Sequence, residues 1–82
     1  MEAALRALSD AGRRRILTLV RDEERSAGEI APEFTVSWPA VSEHLRVLKD
    51  AGLLTERREG TRRLYRARPE GLAGLRAFLD GF

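Results

Sequence analysis

A mostly α fold carrying one two-stranded β hairpin, in the order α-α-α-α-β-β-α, is predicted for this chain by three observations. Apolar residues recur at helical spacing in five separate stretches. Helix-capping residues, Asp10, Ser26 and Ser37, stand ahead of the second, third and fourth of them. After Gly52 the pattern changes to that of strands and turns back at Glu59-Gly60-Thr61, before a last helix begins at Pro69.

Each element has its own signal. In the first helix Met1, Ala4, Leu5 and Leu8 fall at i, i+3, i+4 and i+7. Asp10 opens a second helix whose apolar residues are Ile16, Leu17, Leu19 and Val20. The polar connector RDEERSAGE holds Ser26 with Glu29 three residues later, the spacing of a capping box, and starts a short third helix through Ile30, Ala31 and Phe34. Pro32 lies late in that helix and removes a backbone hydrogen bond, so the helix is expected to be short or bent. FTVS makes a turn, and Ser37 caps a fourth helix with Pro39 in its first turn, where a missing N–H does little harm. Val41, His44, Leu45 and Leu48 share one stripe of that helix; Pro39, Glu43, Arg46 and Asp50 lie opposite, with Ser42 on the flank. One side packs and the other is free. Gly52 supplies a left-handed stop, followed by apolar Leu53. A strand from Leu53 and another from Arg62 to Ala67 form the hairpin, and Leu72, Leu75, Leu79 and Phe82, widened by Phe78, form one face of the last helix.

Eighty-two residues make one domain, residues 1–82, with a small core, a size at which a second copy commonly supplies missing apolar contact. Leu72, Leu75, Phe78, Leu79 and Phe82, with Leu5 and Leu8 from the first helix, present more apolar surface than such a chain covers alone, and are the candidate homodimer interface through the N- and C-terminal helices. The absence of cysteine excludes a disulfide framework, a thiolate metal site and a thiol switch, and suits an intracellular, cytoplasmic protein. The longest apolar run, Ile16 to Val20, includes Thr18 and is far shorter than a membrane span; Arg6 interrupts the region where a signal peptide needs an apolar stretch. No membrane association is expected.

The net charge of +2 conceals an uneven distribution. Arg57, Arg58, Arg62, Arg63, Arg66 and Arg68 stand against Glu59 alone, a local excess of five positive charges that leaves the rest of the chain at about −3. A block of one sign points to a polyanionic partner. Helices three and four, separated by a short turn, read as a helix-turn-helix, and the arginine hairpin stands where a wing would be. A duplex major groove accepts one helix whose N-terminal half reaches base edges, while cations on a second element hold the flanking phosphates. The candidate DNA-binding residues are therefore Ser37, Trp38, Pro39, Ser42, Glu43 and Arg46 on the fourth helix, and Arg57, Arg58, Gly60, Thr61, Arg62 and Arg63 on the wing. Arg14, in the run Arg13 to Arg15, either clamps phosphate or belongs to a solvated face. Glu43 and Arg46, three apart, can pair in the free protein; on DNA, Arg46 suits guanine or phosphate.

The segments LSDAGRRRIL, VSWPAVSEHLRVLKDAGLL and ERREGTRRLYRARPEGL resemble those of the ArsR-type winged-helix repressors, over nearly the whole chain. The pattern VSxHLxxLxxAGL, filled by Val41, Ser42, His44, Leu45, Leu48, Ala51, Gly52 and Leu53, followed by an arginine-rich turn with Gly60, carries the likeness. The resemblance implies a homodimer that reads an inverted-repeat operator in double-stranded DNA and represses transcription, in many members until an inducer binds. Three departures stand out. Asp10-Ala11-Gly12-Arg13 replaces an Asp-Pro-Thr-Arg helix start, which is expected to loosen it. Trp38 occupies an often polar base-reading position, where it either touches a thymine methyl or sugar or covers the turn. The ligands of the metal-sensing members are missing: there is no cysteine, and the last helix has no histidine.

His44 is the only histidine, and one imidazole on a packed face makes no metal site. No metal and no cofactor is expected. With no cysteine, no second histidine, no glycine-rich phosphate loop and no acid pair set beside a nucleophile, an enzyme is not expected either. A MarR-like ligand-responsive regulator and a protein-binding winged helix are the alternatives; the latter would show apolar residues on the free side of helix four and an acidic or neutral wing.

Overall fold

The computed structural model describes residues 1–82. The helices are α1 (Glu2–Leu8), α2 (Ala11–Leu19), α3 (Ala27–Ile30), α4 (Trp38–Asp50) and α5 (Ala73–Asp80), with 3₁₀ turns at Ala31–Glu33 and Pro69–Leu72. The strands are β1 (Arg25–Ser26), β2 (Leu54–Glu59) and β3 (Arg62–Ala67), antiparallel in the order β1-β3-β2. The hairpin is thus extended by a third strand that the sequence pattern does not announce, with Arg25 opposite Tyr65 and Ser26 opposite Leu64. Two residues of a polar connector have no period to read.

The core gathers Ala4, Ala7, Ile16, Val20, Ile30, Val41, Leu45, Leu48, Leu53, Leu54 and Tyr65. α1 buries its small residues, Ala4 and Ala7, and half-buries Leu8, leaving Met1 and Leu5 outside. Its exposed C-terminal carbonyls are capped from the next helix. Arg13 Nε donates to the Ala7 carbonyl at 2.7 Å and its Nη2 to that of Arg6 at 3.1 Å; Arg14 Nη1 donates to the Leu8 carbonyl at 2.7 Å. Cations at a helix C-terminus also suit its dipole. α2 starts firmly without a proline, because the Asp10 carboxylate accepts from the Arg13 N–H at 3.0 Å. That hydrogen bond is the main reason Asp10 ionises below the usual carboxylate range.

The capping box forms in full: the Glu29 N–H donates to Ser26 Oγ at 3.2 Å and the Ser26 N–H to Glu29 Oε1 at 2.9 Å. α3 is a single turn that tightens into 3₁₀ geometry at Pro32, so Phe34 lies beyond it in extended backbone. α4 ends in a Schellman motif, with the Leu53 N–H on the Leu48 carbonyl, the Gly52 N–H on that of Lys49, and Gly52 at φ +77°. Gly60, φ +62°, takes the first place of a two-residue hairpin turn. The wing root is tied to the end of α2 by a hydrogen bond from the Ala67 N–H to the Val20 carbonyl, 3.0 Å, and the hairpin pairing runs on through the Arg68 N–H to the Leu53 carbonyl, 2.8 Å.

The chain reaches α5 by passing Gly71 against Gly52. A Cβ on Gly71 would lie 2.2 Å from the Gly52 carbonyl oxygen and 2.9 Å from its carbon, backbone atoms that cannot step aside. Gly71→Ala is expected to cost about 2 kcal/mol, a typical overpacking penalty, and to lower the thermal midpoint by roughly 8 to 16 °C. Gly28→Ala, whose new carbon meets only Ser26 Oγ at 3.7 Å, should leave the midpoint in place. Equal melting of both variants would refute the close-approach argument.

Candidate nucleic-acid interface

The N-terminal half of α4 projects from the core because its inner stripe, Val41, Leu45 and Leu48, is buried while Trp38, Pro39, Ser42, Glu43 and Arg46 are exposed. Ser37 fixes the start, its hydroxyl accepting from the Ala40 N–H at 3.3 Å. The wing stands beside this half-helix. Between them runs a groove of about 510 Å³, with Trp38 and Ser42 on the α4 side, Thr61, Arg62, Arg63 and Tyr65 on the wing side, and residues 26–28 completing the lining. Trp38, 53% exposed, presents its ring to that groove. The most apolar hollow, near Leu17, Leu53 and Leu72, holds about 190 Å³, below the few hundred typical of small-molecule sites.

The arginine block is less positive in space than along the chain. Arg57 is held by Glu24 through two hydrogen bonds of 2.7 Å and by Glu59 at 3.1 Å. Arg62 meets Glu29 at 3.0 Å, and Arg63 lies 3.9 Å from Glu56. Arg66 donates to the Asp22 carbonyl and Arg68 to that of Gly52. Arg58 alone has neither an ion pair nor a hydrogen bond from its guanidinium, and the strand register sets it directly opposite Arg63. Like charges in that relation repel, and an external anion between them would relieve the repulsion.

On α4, Arg46 is gripped from two sides. It bonds both oxygens of Glu43 and, at 2.9 Å, Asp50 one turn on. The pairing with Glu43 is the one expected from their spacing; Asp50 is an addition. Arg46 holds Glu43 below the usual carboxylate range, and Glu43 in turn raises Arg46 further above neutrality. Reading a base with Arg46 therefore means trading these partners for the base edge.

Several expected site residues fall elsewhere. Arg14 is engaged in capping α1 and does not line the groove, and Arg57 is likewise turned away toward Glu24. Leu8 and Leu72 are half-buried against their own core, so they are poor candidates for an outer interface. Leu75 is also half-buried, whereas Leu5, Phe78, Leu79 and Phe82 are exposed, joined by Met1. His44 is half-buried where α4 meets the start of α2, with Nδ1 3.4 Å from Arg13 Nη1 and Nε2 3.8 Å from Asp10 Oδ2. No cluster of three or more His, Cys, Asp or Glu side chains forms a metal cage. No helix is long and apolar enough to cross a membrane.

The sequence profile described as "Bacterial regulatory protein, arsR family" matches residues 5–56. The chain is 47% identical over 81 residues to the HTH-type transcriptional regulator Rv2034 of Mycobacterium tuberculosis, spanning 99% of this chain and 76% of that protein. It is 40% identical over 60 residues to the transcriptional repressor SdpR of Bacillus subtilis, spanning 73% and 67%. It superposes on the homodimeric winged helix-turn-helix DNA-binding domain of a Mycobacterium bovis protein with a TM-score of 0.78 and 35% identity, over 96% of this chain and 73% of that one.

Proposed function

Because the chain belongs to the arsR family of bacterial regulatory proteins, we propose that it binds double-stranded DNA as a cytoplasmic homodimer and represses transcription from an inverted-repeat operator. The observation that carries this reading is the groove in which Trp38 and Ser42 on the free half of α4 face Thr61, Arg62 and Arg63 on the wing. Its two walls suit the two parts of a duplex: base edges for the helix and phosphate for the wing. Ser42, Glu43 and Arg46 read bases, Trp38 meets a thymine methyl or sugar, and Arg58, Arg62 and Arg63 hold the backbone. Dimerisation runs through Leu5, Phe78, Leu79 and Phe82.

The regulator acts by binding rather than catalysis, and without a metal sensor. It has no cysteine, its last helix has no histidine, and His44 is placed beside Arg13 and Asp10. A winged helix built to dock protein would bare apolar side chains along α4; apart from Trp38 and Pro39 in its first turn that face is polar.

The test separates the two walls. Arg58→Ala and Arg63→Ala should each weaken binding to every duplex alike and flatten the dependence of log affinity on log salt by about one unit. Ser42→Ala should instead change preference among sequences, by about 1 to 3 kcal/mol at the affected base. Wing variants that keep full affinity for random duplex at low salt would overturn the phosphate role. The same titration with stoichiometric zinc should be unchanged; a specific loss of binding would reveal a metal site.

A further inference from the structure

We propose that Glu24 is a specificity-determining residue: by holding Arg57 it keeps one wing cation out of sequence-independent DNA binding. The inference rests on the reading of the wing as a phosphate-binding element and adds a control on it. The Glu24–Arg57 pair joins residues 33 apart in the chain, so it exists only in the folded protein. It is bidentate, with Nε and Nη2 both at 2.7 Å, and Glu59 takes a further Nη2 contact at 3.1 Å. Two of the three guanidinium nitrogens are therefore occupied, in the planar geometry a phosphate would otherwise use. Glu24 is only 29% exposed in its side chain, against 53% for Arg57, so the carboxylate is the more fixed partner. The Arg57 hydrogen bonds are the main reason its carboxyl ionises below the usual range, which keeps the pair charged through mild acid.

Position decides which complex feels this. Arg57 does not line the groove between α4 and the wing; Arg62 and Arg63 do. An operator complex, fixed by α4 seated in the major groove, has its phosphate contacts made by Arg62 and Arg63 in the groove and by Arg58, which has no ion pair to give up and stands opposite Arg63, and leaves Arg57 on Glu24. Sequence-independent binding has no such fixed pose, draws nearly all its free energy from phosphate neutralisation, and gains from any cation that can turn outward. Glu24 withholds one of them.

The experiment uses the full chain with two probes, a random-sequence duplex of about thirty base pairs and an operator duplex recovered by selecting bound fragments from a random pool. Glu24→Gln keeps the shape and removes the charge. Affinity for random duplex at low salt should rise about two- to fivefold, the value of freeing an exposed ion pair, and the salt slope should steepen by up to about one unit. Operator affinity should change by less, so the specificity ratio falls. Glu70→Gln, an exposed carboxylate beyond the wing root with no ion pair, is the control for net charge alone. Arg57→Ala should do little in the wild-type background and should cancel the gain in the Glu24→Gln background. Thermal midpoints show whether a variant has lost its fold, and the two arginine backgrounds keep the test decisive if Glu24→Gln melts early. A gain no larger than that of Glu70→Gln, an equal gain on operator and random duplex, or the same cost of Arg57→Ala in both backgrounds overturns the proposal. If Arg58→Ala and Arg63→Ala were also silent, the wing reading would fall with it; if they still weakened binding, only the role of Glu24 would.

Discussion

Phe78→Glu is expected to turn the protein into a monomer at micromolar concentration and to remove tight operator binding. No residue of α5 is buried in the single chain, although Leu75, Phe78, Leu79 and the following Phe82 lie along one face. Phe78 is 51% exposed, Leu79 58% and Phe82 95%, and the two phenyl rings meet edge to face with centroids 5.3 Å apart. Met1 lies beside Gly74, so Met1, just ahead of α1, and Leu5 on the outside of that helix continue the same patch. Burying each large side chain against a two-fold copy contributes about 1.5 to 3 kcal/mol, and a second copy offers identical surface. A carboxylate at residue 78 would enter that contact twice with no cation opposite, and loses both the phenyl burial and the charge's hydration. A dimer weakened by about 4 kcal/mol dissociates roughly a thousandfold more readily. Sedimentation velocity measures this directly. A stable Phe78→Glu dimer, or a wild-type chain that sediments as a monomer, would place the interface elsewhere.

What the sequence disclosed, and what it hid, divide by the range of the interaction. α4 and its stop are local events: a serine cap, an i, i+3, i+4 stripe and a glycine with positive φ, all within fifteen residues of one another, and each is as expected. The hairpin turn is legible in the sequence but reads one residue too long, as Glu59-Gly60-Thr61; Glu59 instead pairs with Arg62, and only the two-residue turn at Gly60-Thr61 sets Arg58 opposite Arg63. β1 could not be read this way, since its two residues pair with a strand about forty positions later. The same distance hid Glu24 and Glu29, which lie far from the wing in sequence and beside it in space, so the arginine excess counted along the chain overstates the field. Leu8 and Leu72 show a third limit of sequence reading. Helical spacing marks both as apolar-face residues, but spacing alone does not say whether a face meets its own core or a partner, and alanines at positions 4 and 7 let α1 approach closely enough to draw Leu8 inward. Arg14 is a related case: the Leu8 carbonyl that ends α1, two residues before the cap of α2, takes its guanidinium.

Inserting about five base pairs at the centre of the operator is expected to abolish tight binding, because the geometry of one protomer restricts where the other can read. The groove between α4 and the wing opens on a single face of the chain, and the exposed apolar edge of α5 and α1 is a separate surface. If α5 pairs about a two-fold axis, both α4 helices face the same side of the dimer, and they can enter successive major grooves only when about 34 to 36 Å apart, one turn of the duplex. The operator is then an imperfect palindrome with half-site centres about ten base pairs apart. Five added base pairs rotate one half-site to the far side of the duplex, where Ser42 and Arg46 of that protomer cannot follow, and the affinity should fall toward that for random duplex, a loss of about a thousandfold or more. Adding ten base pairs restores the facing but moves the half-site roughly another 34 Å away, beyond a dimer whose protomers measure 42 × 25 × 19 Å and join through one helical edge. Gel-shift titration of the native, plus-five and plus-ten duplexes reads all three cases. Full binding to the plus-five duplex would mean that the protomers engage their half-sites independently, and the two-fold reading mode would have to be given up even with every DNA contact on α4 and the wing intact.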